Sequence, residues 1–315
     1  MTIAAVLAAY AALAGTLGSR LLGRAGWTAR APLLAMITYL AAGWSAVAAV
    51  GLAGLTLAVH APAVSGGLSH LIGACVLRLR DTYATPGGAT VAGFGLTLAG
   101  AVAARTVLTA LAHLRAAGRQ ARQHADTARL AGHAEPALGA VLLDHPAPAA
   151  YCVAGRHPTV ILTTGAVQAL DPAQLDAVLA HERAHLASHH HQMIALARIG
   201  RQVLPFLPLM RDAQTQVARL AEMHADDTAT RASDPRSLAT ALVVLATAAN
   251  PAPALAAAAT DAIQRIHRLL GPAAPLGRTR RHLLRTTAGV LALTPVLLAL
   301  APAVLALALG RVPAA

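Results

Sequence analysis

The sequence predicts a mainly α membrane protein: four transmembrane helices, with a cytoplasmic α+β domain set between the third and the fourth. Three observations carry that prediction. The 315 residues are 56% hydrophobic and only 12% charged, about half the charge of a soluble domain, which holds roughly 25%. Four stretches stay apolar over about the 20 residues that a bilayer crossing takes. Of the 13 acidic residues, all but Asp81 fall between Arg115 and Arg285, so the water-exposed chain is concentrated in one block.

The spans are about 2–19, 32–59, 90–114 and 286–310. The second and fourth carry no charge. The third holds only Arg105, read as snorkelling toward the cytoplasmic border. Pro295 and Pro302 inside the fourth are tolerated where neighbouring helices satisfy the freed backbone groups. The first span is expected to be retained and not cleaved as a signal peptide, because nothing basic precedes Arg20. Basic residues cluster at Arg20, Arg24 and Arg30, at Arg115, Arg119 and Arg122, and at Arg278, Arg280, Arg281 and Arg285. The positive-inside rule puts all three clusters in the cytoplasm. Only Arg78 and Arg80, in the expected outer loop, run against it. Three units follow: 1–114 with three spans, a cytoplasmic domain at 115–285, and 286–315 with the fourth span and a short tail, in a multi-pass protein of the cell membrane.

The net charge of +12 could suggest nucleic acid, but the basic residues are dispersed and lack interleaved aromatics, so direct nucleic-acid binding is not expected. Cys75 and Cys152 lie far apart and build neither a disulfide framework nor a cysteine metal site. Cys152, in an apolar run, reads as a small buried residue.

Within the central block a helical entry over 114–130 gives way to short strands at 141–143, 150–153 and 159–163. A helix start follows: Asp171 caps, Pro172 takes the first turn and Gln174 completes a variant capping box. Leu175, Val178, Leu179 and Leu186 mark the apolar face of that helix. Residues 193–210 suit a helix lying against the membrane, and further helices are expected at 211–231, 237–249 and 261–270.

The helix that starts at Asp171 contains His181-Glu182-Arg183-Ala184-His185. Side chains four apart share a helix face, so both imidazoles can bind one metal ion, with Glu182 placed as general base toward an activated water. This is the HExxH zinc-peptidase pattern. Catalytic zinc needs a third protein ligand and an open position, and two candidates compete. Glu222 stands in Glu222-Met223-His224-Ala225-Asp226 on a later helix. His191 has the right spacing for another zinc-protease class, but that class turns the chain with Gly where Ser188 stands here. On a continuing helix His191 lies about 240° round the axis from His185. Glu222 is therefore preferred, and His189-His190-His191 reads as a solvated helix end. Asp226 shares the Glu222 face and suits the free N–H of a metal-bound histidine; Asp227 is expected in solvent. The only glutamates are Glu135, Glu182 and Glu222, so two of them fall in this constellation.

His181-Glu182-x-x-His185 followed by Glu222-x-x-Ala225-Asp226 resembles the membrane-embedded zinc metallopeptidases of the gluzincin type, both the BlaR/MecR antirepressor family and the HtpX and CAAX-protease group. The run Ala150-Tyr151-Cys152-Val153 to Thr159-Val160-Ile161-Leu162-Thr163-Thr164-Gly165 resembles the sheet segment before the zinc helix. Arg265-Ile266-x-Arg268-Leu269-Leu270 resembles a helix that follows the zinc-binding Glu. The span layout leans toward the BlaR/MecR type, without a C-terminal sensor domain. The resemblance implies a zincin-like fold for the cytoplasmic domain, one zinc per chain, and a protein or peptide substrate, with a transcriptional repressor among the candidates. It also implies regulated proteolysis at the membrane. An HtpX-like quality-control protease and a non-enzymatic membrane scaffold are the alternatives. Two placements remain expectations: a substrate strand pairing along Val160, Ile161, Leu162 and Thr163, and an oxyanion-stabilising histidine among His157, His224 and His267.

Overall fold

A computed structural model describes residues 2–58, 87–155, 158–248, 255–272 and 275–308. Arg78, Arg80, Asp81, Cys75 and His157 lie outside them. The described chain is mostly helical with one small sheet. Helices α1 (Thr2–Gly23) and α2 (Pro32–Ala58) are joined by a 3-10 turn at Thr28–Arg30, and α3 (Gly88–Ala131) runs unbroken through the expected span and the expected entry helix. Strands β1 (Gly132–Glu135), β2 (Ala140–Leu143), β3 (Ala150–Val153) and β4 (Thr159–Thr163) follow. Then come α4 (Thr164–Ala169), α5 (Pro172–Ala187), α6 (His190–Val203), α7 (Pro208–Ala229), α8 (Pro235–Ala248), α9 (Leu255–Leu270) and α10 (Arg278–Ala308).

Among the described residues four helices are long and apolar enough to cross a membrane: Thr2–Gly23, Pro32–Ala58, Gly88–Gln120 and Arg278–Pro302. Such composition is compatible with a membrane protein. α2 is the central one, packing on α1, α3, α7 and α10. Its crossing with α3 is backbone on backbone. A Cβ at Gly54 would stand 2.7 Å from the Gly95 carbonyl oxygen, so the pair of glycines sets the approach, as small residues do between apolar helices. Arg105 does not simply reach for water: its Nε donates to the Gln202 carbonyl at 2.6 Å, tying α3 to the end of α6.

The sheet order is β1-β2-β4-β3. β1 pairs antiparallel with β2, β2 parallel with β4, and β3 antiparallel with β4 in the register Ala150↔Leu162 and Cys152↔Val160. Sequence reading missed β1, whose Gly-His-Ala-Glu has no apolar alternation. The topology also corrects the expected substrate strand. Val160, Ile161, Leu162 and Thr163 lie on β4, whose two edges are already taken by β2 and β3, so no backbone edge is left for a peptide. The sheet edge on that side belongs to β3.

α5 begins as its cap predicts. The Gln174 amide donates to Asp171 Oδ1 at 2.8 Å and the Asp171 amide donates to Gln174 Oε1 at 3.1 Å. Its apolar side, Leu175, Val178 and Leu179, closes over Val160 and Leu162 of the sheet. The expected helix over 193–210 is instead two: α6 ends at Val203, and Pro208 opens α7. Proline lacks the amide a helix interior needs, but the first turn leaves that amide unused.

Candidate metal centre

α5 and α7 lie side by side, which brings their polar faces together. His181 Nε2 and His185 Nε2 stand 3.1 Å apart. Glu222 completes the group, Oε2 at 3.4 Å from His181 Nε2 and Oε1 at 3.5 Å from His185 Nε2. One donor atom from each of the three lies within 4.8 Å of the others, a group that could hold a metal ion. Two imidazole nitrogens and a carboxylate oxygen are the donor set of catalytic zinc sites that keep a position open. Exposure fits that arrangement: the His181 side chain is 8% exposed and Glu222 40%, so the cluster is closed on the α5 side and open beyond Glu222. His191 does not join it; the residue is exposed on α6.

Beneath the cluster lies an ionic floor that sequence reasoning only partly found. Asp226 is wholly buried, with Oδ1 3.0 Å from His181 Nδ1. No aligned hydrogen bond reaches His181 Nδ1, so charge and proximity hold this pair. Arg265, from α9, clamps Asp226 with two bonds, Nε to Oδ2 at 2.8 Å and Nη2 to Oδ1 at 2.7 Å, and its Nη1 lies 3.0 Å from Glu222 Oε2. Arg268, one turn on, corrects the expectation that Asp227 is free in solvent. Its Nη2 bonds both Asp227 oxygens at 2.5 and 2.6 Å, its Nη1 donates to the Met223 carbonyl, and its Nε donates to the Ala29 carbonyl between α1 and α2.

These contacts tune the titrating groups. Burial alone would lower His181, but contact with Asp226 and Glu222 outweighs it and lifts the imidazole to about 9. Burial would raise Glu222 and Asp226; the histidines and Arg265 reverse that and hold both carboxyls below their ordinary range. Glu182 goes the other way, raised chiefly by burial. A carboxyl raised beside a metal-type cluster is suited to accept a proton. Cys152 on β3 touches it. Burial first, then the Glu182 carboxylate that the thiol hydrogen-bonds, push Cys152 up to about 12. The apolar run hid this neighbour.

The histidine run departs most from expectation. α5 stops at Ala187, His189 turns the chain in the left-handed region at φ 51°, and His190 opens α6 while 1% exposed. It is a buried residue and not a solvated helix end. His224 joins His190 at 2.9 Å, while His267 is exposed.

A helical chain with a small sheet, carrying two histidines of one helix and a glutamate of the next around a common point, has the make-up of a metallopeptidase. The chain belongs to peptidase family M48, whose model matches residues 114–273. Members of that family are metal-dependent proteases, typically using zinc. No curated protein and no solved structure matches the chain.

Proposed function

We propose that the chain is an integral-membrane, zinc-dependent endopeptidase that cuts protein substrates at the cytoplasmic face, in regulated or signalling proteolysis of the BlaR/MecR-like kind. The observation that carries this reading is the convergence of His181, His185 and Glu222 beside Glu182 in a chain of the M48 family. The three ligand side chains would hold zinc, which when bound supplies Lewis acidity to water and to the scissile carbonyl. Glu182, with its raised proton affinity, takes the proton of the attacking water and returns it to the leaving amine. Asp226 and Arg265 hold His181 and Glu222 in place from below. A peptide strand has its natural seat along the outer edge of β3, one side chain from Glu182, in the β-addition mode. The Arg clusters at Arg20–Arg30, Arg115–Arg122 and Arg278–Arg285 support the cytoplasmic placement of the site. A transcriptional repressor is one substrate class compatible with it.

Zinc stoichiometry on the detergent-purified chain tests the first half: one zinc per chain, lost on Glu222→Ala and indifferent to His191→Ala. Glu182→Gln tests the second, keeping zinc while cleavage of a casein or peptide substrate falls about 10²–10⁴-fold. A wild-type chain that takes up no zinc under metal-replete conditions overturns the reading. A reporter fused after residue 130 should read as cytoplasmic; an external signal overturns the orientation.

A further inference from the structure

The two candidate ligand histidines are not supported alike. Behind His181 stands a buried anion, Asp226. Behind His185 stands another imidazole: His190 Nδ1 lies 3.0 Å from His185 Nδ1, and on the far side of the same ring His190 Nε2 lies 2.9 Å from His224 Nδ1. Both nitrogens of His190 are thus committed, and the ring sits edge-on to both neighbours, with centroids 4.8 and 5.1 Å away. The chain bends to achieve this. His189 occupies the left-handed region, which non-glycine residues enter at a cost, and that turn swings His190 inward while His189 and His191 stay exposed.

Two facing ring nitrogens need one proton between them. His185 turns Nε2 toward His181 and Glu222, and a nitrogen that offers its lone pair to a metal carries no proton. The proton of His185 then sits on Nδ1 and is donated to His190 Nδ1. His190 must carry its own on Nε2, donated to His224 Nδ1, and His224 keeps its proton on Nε2. One choice at His185 fixes three rings across α5, α6 and α7.

We propose that His190 is the positioning residue of the His185 arm, a buried neutral acceptor that fixes the tautomer and ring angle of His185 through a hydrogen-bonded file of imidazoles ending at His224. The proposal rests on the metal-centre reading above. Partners of this kind are worth about 10–100-fold in metal affinity. A carboxylate at this point would add a further anion to a cluster that already holds Asp226 and Glu222; an imidazole accepts the proton without that charge.

The test is zinc affinity by chelator competition on the full chain in detergent, for wild type, His190→Leu and His190→Asn. Leu fills space but accepts nothing, and affinity should fall about 10–100-fold. Asn offers a carbonyl to His185 and an amide to His224, and should recover most of the loss. Equal affinity in the Leu variant, or an Asn variant no better than Leu, overturns the proposal while leaving the metal centre standing. A wild type that binds no zinc overturns both. Should His190→Leu not fold, ¹⁵N-histidine NMR of the zinc-loaded wild type decides. Protons on His185 Nδ1 and His190 Nε2 are expected, and a proton on His190 Nδ1 overturns the assignment.

Discussion

α5 and α7 supply the same candidate centre but hang from different frames. α5 is laid on the sheet: Leu175, Val178 and Leu179 close over Val160 and Leu162, and a capping box fixes its start. α7 is laid on the apolar helices. Leu209, Val217, Leu220 and Met223 pack with Ala35, Met36, Tyr39 and Ala42 of α2, and Asp212 accepts a hydrogen bond from Ser19 of α1. His181, Glu182 and His185 therefore take their position from the sheet, and Glu222 and Asp226 from the long apolar helices. His181 meets Asp226 and Glu222 across the two frames, Arg265 clamps those carboxylates from α9, and Arg268 ties α7 and α9 to the carbonyl of Ala29. The carboxylates and the histidines of the candidate centre are thus positioned by different packing partners.

The sharpest way to test the comparison is to remove the cation that clamps the α7 carboxylates. Arg265→Leu leaves Asp226 as a buried anion without its cation, and losing one partner of such a pair costs about 3–5 kcal/mol. Thermal unfolding in detergent should show that loss, with zinc affinity down about 10–100-fold. An unaltered Arg265→Leu variant would mean that the apolar helices alone hold α7.

Next in size is a pH effect confined to the metal-free chain. The folded pKa of His181, about 9, is raised above its unfolded value, near 6.5. Its contribution is therefore complete below about pH 6.5 and fades as pH rises through about 9. Glu222 and Asp226, held low, contribute above their unfolded values and lose that contribution in acid. Metal-free protein should lose thermal stability between pH 6.5 and 9, while zinc, which must displace the His181 proton, should bind more tightly over the same interval. A flat melting profile in chelator would remove the His181 imidazolium from the account.

A smaller effect separates the two frames. Asp171→Ala removes a cap worth about 0.5–2 kcal/mol. Hydrogen exchange should accelerate in the first turn of α5 and nowhere in α7. Acceleration in α7 would show that the two helices open as one unit.

How much of this could be read in advance follows the range of the interactions. The Asp171 cap, the His181–His185 pair and the apolar helices are local patterns, and each is found, although the third apolar helix runs on to Ala131 and the fourth begins at Arg278, beyond the apolar stretches themselves. Glu222 was reachable because its pairing with Asp226 is also local. The inner position of β4 was not, since strand order depends on β2 pairing across a long separation. Asp227 looked solvated because Arg268 comes from α9. His190 was misjudged because a left-handed His189 breaks the helical phase on which the face assignment relied, and no glycine announces that turn.

The smallest predicted effect lies at the contact between the sheet and α5. The Cys152 thiol is held at about 12 by burial and by the Glu182 carboxylate, against about 8.5 for a free thiol. The thiolate is the reactive form, so alkylation of Cys152 by iodoacetamide, followed by mass spectrometry, should be slow at pH 7.5 and still rising beyond pH 9.5. A rate that levels near pH 8.5 would detach the thiol from Glu182. The same bond works in reverse on the carboxylate, because a thiol donating to Glu182 favours its ionised form. Cys152→Ala removes that donor, so the acidic limb of the pH–rate profile should move to higher pH, with zinc affinity unchanged. A limb that stays put would leave Cys152 as packing between β3 and α5, and Glu182 tuned by burial and its charged neighbours alone.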